Sequence, residues 1–359
     1  MTLSSNFKDL LSDGVLTCWK SPANIALVKY WGKKGHQLPA NPSLSFTLTE
    51  AYTITRVAAK LNEDGKGPQV SFTFEGDKNQ AFAVKIEEFL TELSPYLDYL
   101  PFVSLVIESG NNFPHSAGIA SSASAMSALA LALICIEQQL TDEKMDDEAF
   151  YRKASGIARL GSGSACRSVY GGYSVWGKHD DFTESSDKYA VPIDFIPGKL
   201  FEHIKDTILL VDQNPKKVSS RAGQMLMNTH PFAKARYEQA VSNLSRLKVS
   251  IRDNDWDTFA EITENEALSL HAMMMTSTPG YILMRPDTLN IVEQINKKRK
   301  QNHINVCYTL DAGPNIHLLY PEEETEKVLI LTQELKQYCS GGKMIHDMIG
   351  QGPENKQCK

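Results

Sequence analysis

The chain alternates between stretches of two-residue period and stretches of helical period. Residues 43–60 (SLSFTLTEAYTITRVAAK) are rich in β-branched and aromatic side chains and partly alternate, which predicts strands. Residues 70–76 (VSFTFEG) predict another strand closed by a glycine turn, and residues 102–109 (FVSLVIES) a third. Between them, Phe82, Ile86, Phe89, Leu90 and Leu93 recur at helical spacing and predict a helix over 79–93. A long alanine-rich helix is expected up to about Leu140, a further helix over 149–160 and a strand over 169–176.

The pattern changes near residues 192–199 (PIDFIPGK), where a domain boundary is expected, giving units 1–195 and 196–359. Beyond it a strand is predicted over 206–212 and helices over 220–247, 256–275 and 289–300. Two strands, 304–310 and 316–319, flank the turn DAGPN, and a charged helix covers 322–338. No internal repeat or low-complexity tract is present. Strands and helices mix in both halves, so the fold class is α+β rather than a regular βαβ array. At 359 residues the chain exceeds the size at which one core usually keeps growing, which favours two domains.

Composition narrows the partners. A net charge of −6 argues against nucleic acid, whose phosphates need concentrated Lys and Arg, but not against a small phosphorylated ligand. Cys18, Cys135, Cys166, Cys307, Cys339 and Cys358 contain no CxxC pair. They read as free thiols of a reducing compartment, not as a disulfide framework or a zinc site. The opening MTLSSNFKDLLSDG lacks a basic start and an apolar run, so a cytoplasmic location is expected. Residues 109–136 carry no Asp, Glu, Lys or Arg, yet the apolar part, 128–136, is too short to span a bilayer. A buried helix is expected there, and no membrane partner.

Four segments carry candidate chemistry. Residues 110–124 (GNNFPHSAGIASSAS) place Gly and Ser just before a helix, whose unpaired N–H groups and dipole suit an anion. Ser121, Ser122 and Ser124 would add hydroxyl donors. The same pattern equally fits a small-residue helix packed closely on its neighbours, and it is neither GxxxxGK[ST] nor GxGxxG. Residues 159–168 (RLGSGSACRS) interleave Gly161 and Gly163 with Ser162 and Ser164 before Arg167, whose planar fork suits phosphate or carboxylate. A glycine-rich connection with a surface arginine is the plainer alternative. Lys29 lies in an apolar, aromatic run, SPANIALVKYWGKK, and either snorkels or is held at a site. Asp311 ends an apolar strand in YTLDAGPN, where it either faces a cleft or is an ordinary turn aspartate. The histidines form no HExxH and no close carboxylate cluster, so a metal site built by protein ligands is not expected.

Taken together, SPANIALVKYWGKK, LPANPSLSFTL, NNFPHSAGIASSASA, RLGSGSACRSVYGGYSVW, KKVSSRAGQM and YTLDAGPNIHLL resemble the mevalonate diphosphate decarboxylase family of the GHMP kinase superfamily. The resemblance runs through nearly the whole chain. It implies a two-domain GHMP kinase fold with the active site in the cleft between domains. It implies ATP and Mg2+ as cofactors, mevalonate 5-diphosphate as substrate, isopentenyl diphosphate as product, and a homodimer. By the same resemblance Asp311, Lys29 and Arg167 are the catalytic residues. Asp311 would orient or deprotonate the substrate's 3-hydroxyl, Lys29 would favour the charged carboxylate, and Arg167 would hold the substrate carboxylate. Tyr30, Lys33, Ser43, Ser162, Ser164, Ser220 and Arg221 match substrate-binding positions. Ser116, Gly118, Ser121, Ser122 and Ser124 fall in the ATP phosphate loop. Magnesium would be held largely by phosphates and water. Pro42 stands where many relatives have a second serine, and an arginine common in relatives near residues 76–90 is absent. Alternatives of the same resemblance are a mevalonate 5-phosphate decarboxylase, a kinase-only relative, and a non-catalytic interaction protein.

Overall fold

A computed structural model describes residues 3–64, 66–113, 121–142, 144–214, 218 and 220–356, with the side chains of Ala81 and Arg221 excepted. The strands are β1 (Val15–Val28), β2 (Lys33–Lys34), β3 (Leu38–Pro39), β4 (Ser43–Leu61), β5 (Gln69–Phe74), β6 (Asp77–Lys78), β7 (Val103–Asn111), β8 (Tyr173–Trp176), β9 (Ala190–Pro192), β10 (Lys205–Leu209), β11 (Cys307–Thr309), β12 (Ile316–Tyr320), β13 (Met344–Met348) and β14 (Glu354–Asn355). The helices are α1 (Phe7–Asp13), α2 (Gln80–Leu93), α3 (Ser121–Leu140), α4 (Asp147–Gly161), α5 (Lys199–Glu202), α6 (Ser220–Leu226), α7 (Ala233–Asp253), α8 (Trp256–Thr276), α9 (Pro286–Asn302) and α10 (Thr325–Leu335).

One sheet runs β14-β1-β4-β7-β5-β6, with β8 on β4 and β9 on β8. A second runs β11-β12-β10-β13. The alternation in residues 43–60 becomes one 19-residue strand, β4, antiparallel to the 14-residue β1. Two irregularities break their register, between Pro22 and Asn24 and between Ala26 and Val28. Each adds local bend and twist, which re-aims the side chains at the end of β1. Lys29 is the next residue.

The three largest apolar clusters among the described residues follow from this layering. The first packs α2, α3 and α4 on the sheet through residues such as Val57, Leu105, Leu131 and Ile157. The second joins both halves of the chain, setting Ile25, Leu27 and Phe46 against Leu244, Phe259 and Leu319. The third covers the second sheet with α9 and α10. Asp347 of β13 also spans the halves, accepting the backbone N–H groups of Thr49, Glu50 and Ala51 at 2.8–2.9 Å.

α3 is long and apolar enough to cross a membrane by length and composition, but 72% of its most apolar window is buried within the protein. The helix expected over 220–247 is interrupted: α6 passes into a 3-10 turn, Met227–Thr229, before α7. Pro231 lacks an N–H and disfavours helical backbone at His230, which accounts for the break. The strand expected over 169–176 begins only at Tyr173, because residues 168–172 form a turn and bend in which Gly172 takes φ +64°.

Candidate active site

Lys29 and Asp311 come together from opposite ends of the chain. Lys29 Nζ donates to Asp311 Oδ1 at 2.9 Å and to the Ala26 carbonyl at 2.6 Å. The lysine side chain is 2% exposed and the aspartate 26%, so the carboxylate is the member of the pair that reaches open space. Burial lowers the Lys29 amine below its ordinary value, opposed by the charges of Asp311 and Glu266 and reinforced by Arg167. Asp311 therefore offsets part of the lowering that burial imposes on the amine.

Arg167 lies at the end of the 3-10 turn, fully enclosed. Its Nη1 donates to Ser43 Oγ at 2.6 Å and its Nε to Ser45 Oγ at 2.8 Å, while Nη2 reaches Asn24 Oδ1 at 3.4 Å. Ser43 in turn donates to the Trp176 carbonyl at 3.3 Å. Among the described residues no carboxylate oxygen lies within 4 Å of this guanidinium. Burial lowers its proton affinity, and Cys166 and Asp311 oppose that. A buried cation served by neutral hydroxyls is costly unless an anion arrives to pair with it. The adjacent Cys166 is no nucleophile: burial pushes its thiol up to about 12.

Tyr30 is buried, edge-on to Trp176 with ring centroids 4.6 Å apart. Gly163 makes that packing feasible, since a Cβ there would sit 2.9 Å from the Tyr30 ring and from Trp176. Lys33 is half-buried at the start of the hairpin β2-β3, just after Gly32, which takes φ +112° ahead of the hairpin. Asn41 donates to the carbonyls of Lys29 (2.9 Å) and Pro42 (2.8 Å), so the proline-bearing loop is bound to the lysine segment.

The phosphate-loop serines divide. Ser122 Oγ lies 3.3 Å from Ser162 Oγ, which brings the first turn of α3 to the end of α4. Ser121 is half-buried beside it, and Ser164 is half-buried with its carbonyl taken by Asn24. Ser124 corrects the expectation that all three serines of α3 face a ligand. It is fully buried, with Oγ 2.6 Å from Thr53 Oγ1 on β4. Helical period puts it on the sheet-facing side with Ser127, Ala128 and Leu131. Ser116 and Gly118 lie outside the described residues. Ser220 opens α6, half-buried, and Arg221 follows it in the same turn.

Residues 21–190 match the diphosphomevalonate decarboxylase-like N-terminal domain, and residues 207–357 match the mevalonate 5-diphosphate decarboxylase C-terminal domain. The diphosphomevalonate decarboxylase of Debaryomyces hansenii is 33% identical over 324 residues, covering 86% of this chain and 80% of its own. The chain belongs to the diphosphomevalonate decarboxylase family. Mevalonate diphosphate decarboxylase from Staphylococcus aureus superposes with a TM-score of 0.81 at 30% identity, covering 96% of this chain and 98% of its own. The decarboxylase MDDEF, solved in complex with MVAPP, AMPPCP and magnesium, superposes with a TM-score of 0.81 at 28% identity, covering 96% and 100%. The two-domain GHMP kinase fold expected from the sequence is thus the fold of this family member.

Within the family fold, further residues hold the site together that sequence reasoning missed. Glu266 on α8 accepts the Lys29 backbone N–H at 2.9 Å, pairs with Arg236 of α7, and accepts from Asn243 at 2.7 Å. His271, also on α8, binds the Asp311 backbone carbonyl at 3.1 Å. The DAGPN turn is pinned at other points: Thr288 donates to the Pro314 carbonyl at 2.8 Å, and Asn315 exchanges hydrogen bonds with the backbone of Asp212 at 3.0 and 3.1 Å. A polar residue inside an amphipathic helix is the one signal that could have pointed to Glu266, and it is a weak one.

Proposed function

We propose that this chain catalyses the ATP-dependent decarboxylation of mevalonate 5-diphosphate to isopentenyl diphosphate, with release of ADP, phosphate and CO2. Membership of the decarboxylase family supports it, as does likeness to a relative solved with MVAPP, AMPPCP and magnesium. The single observation that carries it is the Lys29–Asp311 pair standing near a buried arginine served by neutral partners.

The donor set fits a triphosphate. The N-terminal turn of α3 offers Ser121 and Ser122 with a favourable helix dipole, and Ser162 adds a hydroxyl just past the end of α4. These residues would hold the ATP phosphates, together with Ser116 and Gly118 of the preceding segment. Bound ATP with its magnesium supplies the phosphoryl group that turns the 3-oxygen into a leaving group. Asp311, the exposed member of its pair, accepts the hydrogen of the 3-hydroxyl and orients that oxygen. Lys29 keeps the carboxylate charged and offsets negative charge on the migrating group. Arg167 takes the substrate carboxylate, and its serine partners fix the plane of the fork. The C3–O bond then breaks, the carboxylate bond gives its electron pair to the new alkene, and CO2 leaves. Tyr30, Lys33, Ser43, Ser162, Ser164, Ser220 and Arg221 would serve the rest of the substrate by their match to the family's substrate-binding positions.

The division at residues 195 and 196, a cytoplasmic location and a homodimer belong to the same proposal. Cys166, Cys307 and Cys339 are buried thiols outside any disulfide, which supports a reducing compartment. Light scattering on the purified chain tests the dimer. For the reaction, the protein is incubated with ATP, magnesium and either mevalonate 5-diphosphate or the 5-monophosphate, and ADP and CO2 are followed together. Release of both from the diphosphate alone supports the reading. Preference for the monophosphate reassigns the substrate, and ADP without CO2 replaces decarboxylation by kinase activity.

A further inference from the structure

One helix reaches both members of the Lys29–Asp311 pair from behind. Glu266 and His271 lie five residues apart on α8. Glu266 accepts the backbone N–H of Lys29, and His271 binds the backbone carbonyl of Asp311. That carbonyl also accepts the N–H of Gly313 at 2.7 Å, closing a three-residue turn. Both of its lone pairs are therefore engaged, and the peptide that carries the Asp311 side chain is fixed in orientation.

Each anchor is built to stay in place. Glu266 is fully buried and held by Arg236 and Asn243 from α7. His271 is 1% exposed. Its partner is a carbonyl oxygen, so Nε2 carries the hydrogen and donates. Burial pushes its proton affinity down to about 4, with Lys29 adding repulsion, so the ring is neutral at physiological pH. The charged groups facing His271 are Lys29 after β1 and Asp311 after β11, and around that lysine stand Glu266 on α8, held by Arg236 of α7, and Arg167 in the 3-10 turn.

We propose that His271 is a positioning residue for the reaction: with Glu266 it makes α8 the ruler that sets the Lys29–Asp311 spacing. The inference rests on the decarboxylase reading for its kinetic consequence, though its geometric content stands apart from it. Replacing His271 by Leu removes one of the two hydrogen bonds seen on the Asp311 carbonyl, which loosens the peptide that aims the carboxylate at the lysine. A displacement of an ångström at reacting groups lowers turnover by roughly 10- to 100-fold. Gln retains an N–H donor of similar reach.

The test uses the full chain as wild type, His271→Leu and His271→Gln. The Lys29 amine is titrated by NMR, and kcat and KM are measured with melting temperature alongside. The expected result is a Lys29 titration moved to lower pH in His271→Leu, because the raising influence of Asp311 weakens. With it comes a fall in kcat of roughly 10- to 100-fold at little-changed KM, and His271→Gln restores most of both. An unmoved Lys29 titration in His271→Leu overturns the proposal. So does a loss of melting temperature and turnover that Gln fails to rescue. If the wild type releases no CO2, the decarboxylase reading fails, while the Lys29 titration still decides the role of His271.

Discussion

Lys29 Nζ sits 2.9 Å from Asp311 Oδ1, with the amine sealed from solvent and the carboxylate partly open to it. Burial and charge pairing act in opposite directions on the amine, and burial prevails. Two pH effects of opposite sign follow. Turnover needs the ammonium, so kcat falls on the alkaline side at a pH below the ordinary lysine value of 10.5. Stability behaves otherwise. Between the lowered folded value and 10.5 the unfolded chain binds a proton that the folded chain does not, so Lys29's contribution to stability improves as pH rises. A Lys29→Met variant removes this rise, read as a flatter unfolding free energy in that alkaline window.

Arg167→Lys keeps a charge but loses the fork held by Ser43 and Ser45. The expected outcome is a loss in kcat/KM of roughly 100-fold. Both kcat and the apparent affinity for the carboxylate-bearing substrate contribute to that loss. Titrating substrate at saturating ATP checks it, and the KM for ATP changes little.

Gly163→Ala forces a methyl to within 2.9 Å of Tyr30 and Trp176. Overpacking of this kind costs about 1–3 kcal/mol. Denaturant melts give that loss directly. Turnover falls with it, because the displaced Tyr30 lies in the proposed substrate site.

His271 carries its own acid signature. Its folded value is about 4 against an ordinary 6.5. Between those limits the unfolded chain holds the extra proton, so folding is weakened as pH falls from 6.5 to 4. The difference amounts to about 3 kcal/mol. His271→Gln removes that part of the acid dependence, which unfolding curves at pH 7, 5.5 and 4.5 measure.

The parts of the site legible in the sequence are the ones carried by short, dense segments. KYWGK, GSGSACRS and DAGPN bring Lys29, Arg167 and Asp311 forward as candidates because chemistry-bearing residues there interrupt apolar runs, while their roles came from the resemblance to a known family and not from position alone. Length and periodicity likewise placed β4, α2, α4 and α8 close to their observed limits. The residues that hold the site were hidden for a physical reason. Glu266, His271, Arg236 and Asn243 are single polar positions on long helices, and their partners lie elsewhere in the chain: Lys29 is 237 residues from Glu266, and Asp311 is 40 residues from His271. Ser124 shows the converse error: its composition suggested phosphate, while helical period turned it to Thr53. β13 and β14 are short and pair with distant strands, so nothing local marks them.

The most direct test of the account is the ratio of CO2 to ADP released from mevalonate 5-diphosphate by the wild type and by Asp311→Asn, measured in one reaction. The account predicts one CO2 per ADP in the wild type. It also predicts that both fall together in the variant, by roughly 100-fold or more. ADP formed without CO2 in the wild type, or an Asp311→Asn variant that keeps its turnover, would contradict it.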